Sequence, residues 1–142
     1  KERFEREHLK AHFDVLDALD VNYPDGYFDA VIDNVCVYGN LLDNINTMYA
    51  NIYRMLKTGG KLLTTCFGKE TDGYGTGRSL EKDTYVEITE GALVGRGTTH
   101  FYDKAELNYV LEKAGFKNIQ IDTILYTDRH VQVEQYIAIA EK

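Results

Sequence analysis

The chain of 142 residues is 44% hydrophobic and 27% charged, with twelve Gly, one Pro, eleven Tyr and no Trp, the make-up of one globular domain and not of a disordered, collagen-like or two-domain chain. Sixteen Lys and Arg against twenty-three Asp and Glu give a formal net charge of -7, which argues against nucleic acid or a membrane surface as partner. No apolar run approaches the roughly 20 residues that span a bilayer, and the opening Lys1-Glu2-Arg3-Phe4-Glu5-Arg6 does not read as a secretory signal, so a cytoplasmic location is expected.

Residues 1–10 read as the end of a charged surface helix. Residues 12–18 follow as a short strand with Phe13 and Val15 on one face. Pro24 and Asp25-Gly26 mark a turn, and 28–37 is nearly continuous in apolar residues, as suits a strand covered on both faces. Leu41, Ile45, Met48, Ile52 and Met55 recur at helical spacing. Gly59-Gly60 are expected to end that helix, and 61–67 forms the next buried strand.

A glycine-rich loop over 68–78 leads to a pair of strands at 84–88 and 93–100. Asp103 and Glu106 have capping-box spacing, with Tyr102 and Leu107 as the hydrophobic staple, Leu107, Val110, Leu111 and Ala114 as the buried stripe and Gly115 as the stop. Strands at 119–126 and 133–140 are separated by too few residues for a crossover helix, so they are antiparallel neighbours. The order implies an α/β fold with a parallel core and an antiparallel finish.

Cys36 and Cys66 lie far apart with no CxxC spacing or flanking His; both are expected to be small buried hydrophobes, and no metal site is expected. In an open α/β sheet, ligands sit beyond the carboxyl ends of the parallel strands. The positions to watch are therefore Asp17 and Ala18, then Asp33, Asn34 and the loop through Tyr38, then Phe67. A carboxylate such as Asp17 can accept from an exocyclic amine or a ribose hydroxyl, or it can simply satisfy amides in its own turn. Gly73-Tyr74-Gly75-Thr76-Gly77 has a GxGxG spelling but no strand running directly into it and no helix leaving it, so it reads as a plain flexible loop.

The runs VLDALDVNYPDGYFDAVIDN, YRMLKTGGKLLTTCF, THFYDKAELNYVLEKAGF and YIAIAEK, in this order, resemble the second half of class I S-adenosylmethionine-dependent methyltransferases, especially the type 11 group. The resemblance covers essentially the whole chain. It implies a partial Rossmann-like methyltransferase fold in a single domain over 1–142, a mostly parallel sheet closed by an antiparallel C-terminal strand pair. It also implies S-adenosylmethionine as cofactor, bound by Asp17, Ala18, Asp33 and Asn34. Residues 68–102 fall where the family places its acceptor-binding insertion, and Tyr38, His100 and Tyr102 are expected to face a small-molecule acceptor.

His100 has the pKa range of a general base, although local packing is the more frequent fate of such a residue. Methyl transfer from a sulfonium depends chiefly on alignment, so no catalytic residue is singled out. The family's glycine-rich cofactor turn is not found in these residues. The chain is therefore expected to be a fragment of a larger enzyme, to bind cofactor poorly alone, and to self-associate through an exposed sheet edge. The rival reading is a noncatalytic methyltransferase-like binding module; a nicotinamide-binding Rossmann domain is opposed by the antiparallel finish.

Overall fold

A computed structural model describes residues 1–142. A four-stranded sheet has the order β1-β2-β7-β6, where β1 is Phe28–Asn34, β2 is Leu56–Phe67, β6 is Lys117–Asp128 and β7 is Val131–Glu141. β1 and β2 are parallel, connected over the sheet by α2 (Leu42–Met55), whereas β2 with β7 and β6 with β7 are antiparallel. One pairing of three is parallel. The antiparallel finish expected from loop length is present, and the strands run further than their apolar cores, meeting at a two-residue turn. Arg129 and His130 both have positive φ there, as a tight hairpin turn of this hand requires.

The expected strand over 12–18 does not form. After a short α1 (Glu2–Arg6), residues 9–17 have no regular structure, and Val15 is fully exposed. A strand needs a neighbour for its amides, and this segment pairs with none. It is held by a 2.7 Å hydrogen bond from the Tyr23 hydroxyl to Asp14 and by the Phe13 ring set edge-on to Phe4.

α2 forms where the apolar spacing predicts, burying Ile45, Met48, Tyr49, Ile52 and Met55. It ends at Met55, not at the glycines. Leu56 is already extended, and Lys57 to Gly60 bulge out of the β1 register, which jumps from Phe28↔Leu56 to Ala30↔Lys61. Arg54 fixes the preceding loop by donating to the carbonyls of Val21 and Tyr23 and to Asp25. α3 (Lys104–Ala114) starts at Asp103, whose carboxylate accepts from the Glu106 amide at 2.8 Å, and stops at Gly115 with φ +107°. The two helices cover one face of the sheet, and the main core lies between them and that face.

The insertion is a second, three-stranded antiparallel sheet of β3 (Arg78–Glu81), β4 (Thr84–Val86) and β5 (Thr99–His100). It comprises shorter strands than expected, because 92–95 forms a turn. Phe67, Ile88, Leu93, Phe101 and Val133 form a smaller core that fastens it to the strand ends of the main sheet. The glycine loop before it is not a cofactor turn. Gly73, Gly77 and Gly91 have positive φ, and any Cβ there would strike backbone carbonyls across the loop, so close chain approach explains them. No helix is long and apolar enough to cross a membrane.

Candidate functional site: two cavities astride the end of β1

Asp33, at the carboxyl end of β1, is buried, and its carboxylate accepts from the amides of Cys36 and Val37 at 3.0 and 3.2 Å and from the Thr64 hydroxyl on β2. Thr64 in turn shares a 3.0 Å hydrogen bond with the hydroxyl of Tyr49 on α2. Burial raises the Asp33 pKa, against the lowering effect of these three donors. Asp33 thus builds the turn that follows β1. Its side chain is held inward by these donors.

Within that turn Val35 has φ +52° and its amide donates to Thr65 Oγ1 at 3.0 Å. A β-branched residue in the left-handed region is strained, and such strain concentrates at functional sites.

The turn separates two cavities. The first, of about 210 Å³, is largely apolar and is lined by Ala18, Asp33, Cys36, Val37 and residues of β1 and α2. Asp17 stands at the start of the neighbouring turn; one of its oxygens accepts from the Leu19 amide at 2.9 Å, and its side chain is otherwise exposed. The Ala18 amide has no intramolecular acceptor. Asn34 is exposed, its side-chain oxygen receiving a long 3.3 Å hydrogen bond from Thr65. Of these four residues, Ala18 and Asp33 line the first cavity, and Asp17 and Asn34 do not. Cys66 is buried as expected, but Cys36 is exposed because Asp33 holds its amide and turns its side chain outward.

The second cavity, of about 370 Å³, lies on the other side of the turn and is lined by Val35 and Tyr38, by Phe67 from β2, by Ala92, Leu93 and Arg96 of the insertion, and by Tyr126, Asp128 and Val133 of the terminal hairpin. Half-buried Tyr38 sets its ring edge-on to Phe67 at 5.0 Å. Burial raises its pKa, and the charge of Arg96 acts in the opposite direction.

Of the three residues expected at the acceptor, only Tyr38 lines this cavity. Tyr102 is wholly buried in the main core, where the staple places it. His100 is also wholly buried; its Nδ1 shares a 2.7 Å hydrogen bond with Thr84, and its Nε2 lies 3.7 Å from Glu106. Burial lowers its pKa to about 4, although Glu81 and Asp83 pull the other way.

Beside His100, Lys69 reaches Asp83 at 2.8 Å, Asp103 at 3.0 Å and Glu106 at 3.9 Å. Burial opposes the Lys69 charge, but the Asp83 and Asp103 carboxylates outweigh it and hold its pKa above the ordinary value. Glu106 therefore faces Lys69 and His100 and completes no capping box. This cluster clamps the insertion to the start of α3 and touches neither cavity.

Sequence reasoning overlooked Arg96 and the terminal hairpin as lining residues. The flanking glycines of Gly95-Arg96-Gly97 were the one local signal. The hairpin's contribution arises from strand order and had none.

Residues 1–64 match the family model described as a methyltransferase domain. The fold agrees over a longer span: a S-adenosylmethionine-dependent methyltransferase from Methanosarcina mazei superposes on 94% of this chain and 68% of its own with a TM-score of 0.76 at 19% identity. The fold is that of the S-adenosylmethionine-dependent methyltransferases.

The 1,6-didemethyltoxoflavin-N1-methyltransferase of Burkholderia thailandensis, solved with 1,6-didemethyltoxoflavin and S-adenosylhomocysteine, shares this methyltransferase fold over 99% of the present chain and 55% of its own, with a TM-score of 0.71 at 18% identity. Among curated proteins, phosphoethanolamine N-methyltransferase 2 of Caenorhabditis elegans is 26% identical over 131 residues, 92% of this chain. The chain spans 27% of the length of that relative.

Proposed function

We propose that this chain serves S-adenosylmethionine-dependent methyl transfer to a small-molecule acceptor, with the cofactor on the Ala18 side of the Asp33–Tyr38 turn and the acceptor on the Tyr38 side. The observation that carries the reading is that one strained turn, at the carboxyl end of a parallel strand, walls both cavities. Ligands of open α/β sheets bind at such strand ends.

The first cavity fits the cofactor in kind. Its apolar lining suits a heterocycle, the free Ala18 amide can donate to a ring nitrogen, and the uncommitted oxygen of Asp17 can accept from an exocyclic amine. Asn34 offers a side-chain amide toward the same end of the sheet. S-adenosylmethionine held there supplies a methyl on a positively charged sulfur.

The chain's own residues do the positioning. Asp33, fixed by three internal donors, sets the course of the turn, and Val35 and Tyr38 present the acceptor from its other side. The apolar walls of Phe67, Leu93 and Val133 keep water from the acceptor's nucleophile. Alignment of this kind supplies most of the acceleration in a displacement that needs little proton transfer. His100, buried and neutral, takes no part.

Replacing Asp17 by Ala tests the cofactor side. Loss of a charged hydrogen bond at a partly open site should cost about 1.5 to 3 kcal/mol, a ten- to hundredfold weaker affinity for S-adenosylmethionine and S-adenosylhomocysteine. Calorimetric titration giving the same affinity for D17A and the parent sequence removes Asp17 from the site.

A further inference from the structure

We infer that the cavity beside Tyr38 takes a ligand bearing an anionic group, a carboxylate or a phosphate, and that Arg96 is the residue that selects it. The inference deepens the proposed function, since it rests on reading that cavity as the acceptor's.

Arg96 is the only cation among the lining residues. Of the six arginines in the chain, four make ion pairs, namely Arg3, Arg54, Arg78 and Arg129. Arg6 lies in α1, and Arg96 is left without a carboxylate although the chain carries an excess of seven negative charges. An unpaired, exposed guanidinium in the lining of this cavity has donors to spare, and its planar fork matches carboxylate and phosphate oxygens.

The local backbone supports the same conclusion. Gly95 and Gly97 have φ of +73° and +84°, and a Cβ at either would meet nothing within 4 Å. Unlike Gly73, Gly77 and Gly91, these two glycines answer no crowding; their left-handed backbone sets the turn that carries Arg96.

Asp128, the one anion in the lining, has Arg129 as a cationic neighbour at 4.0 Å, so its charge is the better compensated of the two. The aromatic edges of Tyr38 and Phe67 and the side chains of Leu93 and Val133 provide an apolar body for the ligand behind the anionic end. A compact ring or short chain with one acidic group has that form.

Matched probes of one size test this without requiring catalysis. Phenylacetate, phenyl phosphate and phenylacetamide are titrated into the full chain at constant ionic strength, followed by amide shifts at Ala92, Arg96 and Asp128. At least one anion should bind about tenfold more tightly than the amide, and the better of the two tells whether a carboxylate or a phosphate is preferred. R96Q should reduce the preference to about twofold or less, while R96K, which keeps the charge and loses the fork, should retain part of it. Circular dichroism of both variants confirms that each remains folded.

Equal binding of the amide and both anions, a preference undiminished in R96Q, or no saturable anion binding by about 20 mM would each overturn the inference. Shifts caused by S-adenosylhomocysteine at Arg96 and Asp128 and not at Ala18, with the anion preference intact, would instead overturn the proposed function and leave the anion site standing.

Discussion

His100 illustrates how burial decides what a side chain can do. Sequence alone offers it as a base, since an ordinary imidazole is partly neutral near pH 7. In the fold it lies under Thr84, Tyr102 and Glu106, with Lys69, Glu81, Lys82 and Asp83 nearby, and burial brings its pKa to about 4.

Because the folded form binds this proton less readily than the unfolded chain, stability is fully present above about pH 6.5 and falls as the pH drops toward 4. The full difference is about 3 kcal/mol. Urea unfolding at pH 7 and pH 4.5 should show the loss, and His100→Gln should remove much of the dependence in that window; an H100Q profile parallel to the parent's would assign it to other groups. Arg96 was illegible for the opposite reason. An exposed arginine in a glycine turn says nothing of its neighbours until strand order brings Tyr38 and the terminal hairpin to it.

At the scale of elements, the sequence is informative where a local signal suffices. α3 has its boundaries written in Asp103 and Gly115, and both act as the spacing says. Asp103→Ala removes the acceptor for the Glu106 amide and one partner of Lys69, so it should lower stability by about 1 to 2 kcal/mol. Thermal or urea denaturation measures this, and a variant as stable as the parent would show that the cap contributes nothing. Asp103→Asn, which keeps the acceptor, should recover most of the loss.

Residues 12–18 show the limit of the same reasoning. Their alternation is that of a strand, but a strand exists only with a partner, and the pattern cannot say whether one is within reach. Gly59-Gly60 misled in a related way: the turn signal is real, but it serves a bulge inside β2 and not the helix end.

For the molecule as a whole, α/β class and antiparallel closure were readable from the alternation of patterns and from loop length. The division of one strand end into two cavities was not, because it depends on where the insertion and terminal hairpin meet. β1 pairs only with β2, and Ile32 on it is 73% exposed, with Ala30, Leu63 and Ile139 sharing an apolar hollow on the sheet face away from the helices. An apolar edge of this kind recruits a second strand. Sedimentation over a concentration series should show mass rising with concentration and Ile32→Lys suppressing it; one monomeric species throughout would show that the edge is protected.

The central claim is that cofactor and acceptor lie on opposite sides of the Asp33–Tyr38 turn. The direct test is an amide-shift map of the full chain titrated with S-adenosylhomocysteine to millimolar concentration. Progressive shifts are expected at Ala18, Leu19, Asn34 and Cys36, with Ala92, Arg96 and Asp128 nearly still. Shifts centred on Arg96 and the terminal hairpin would contradict it.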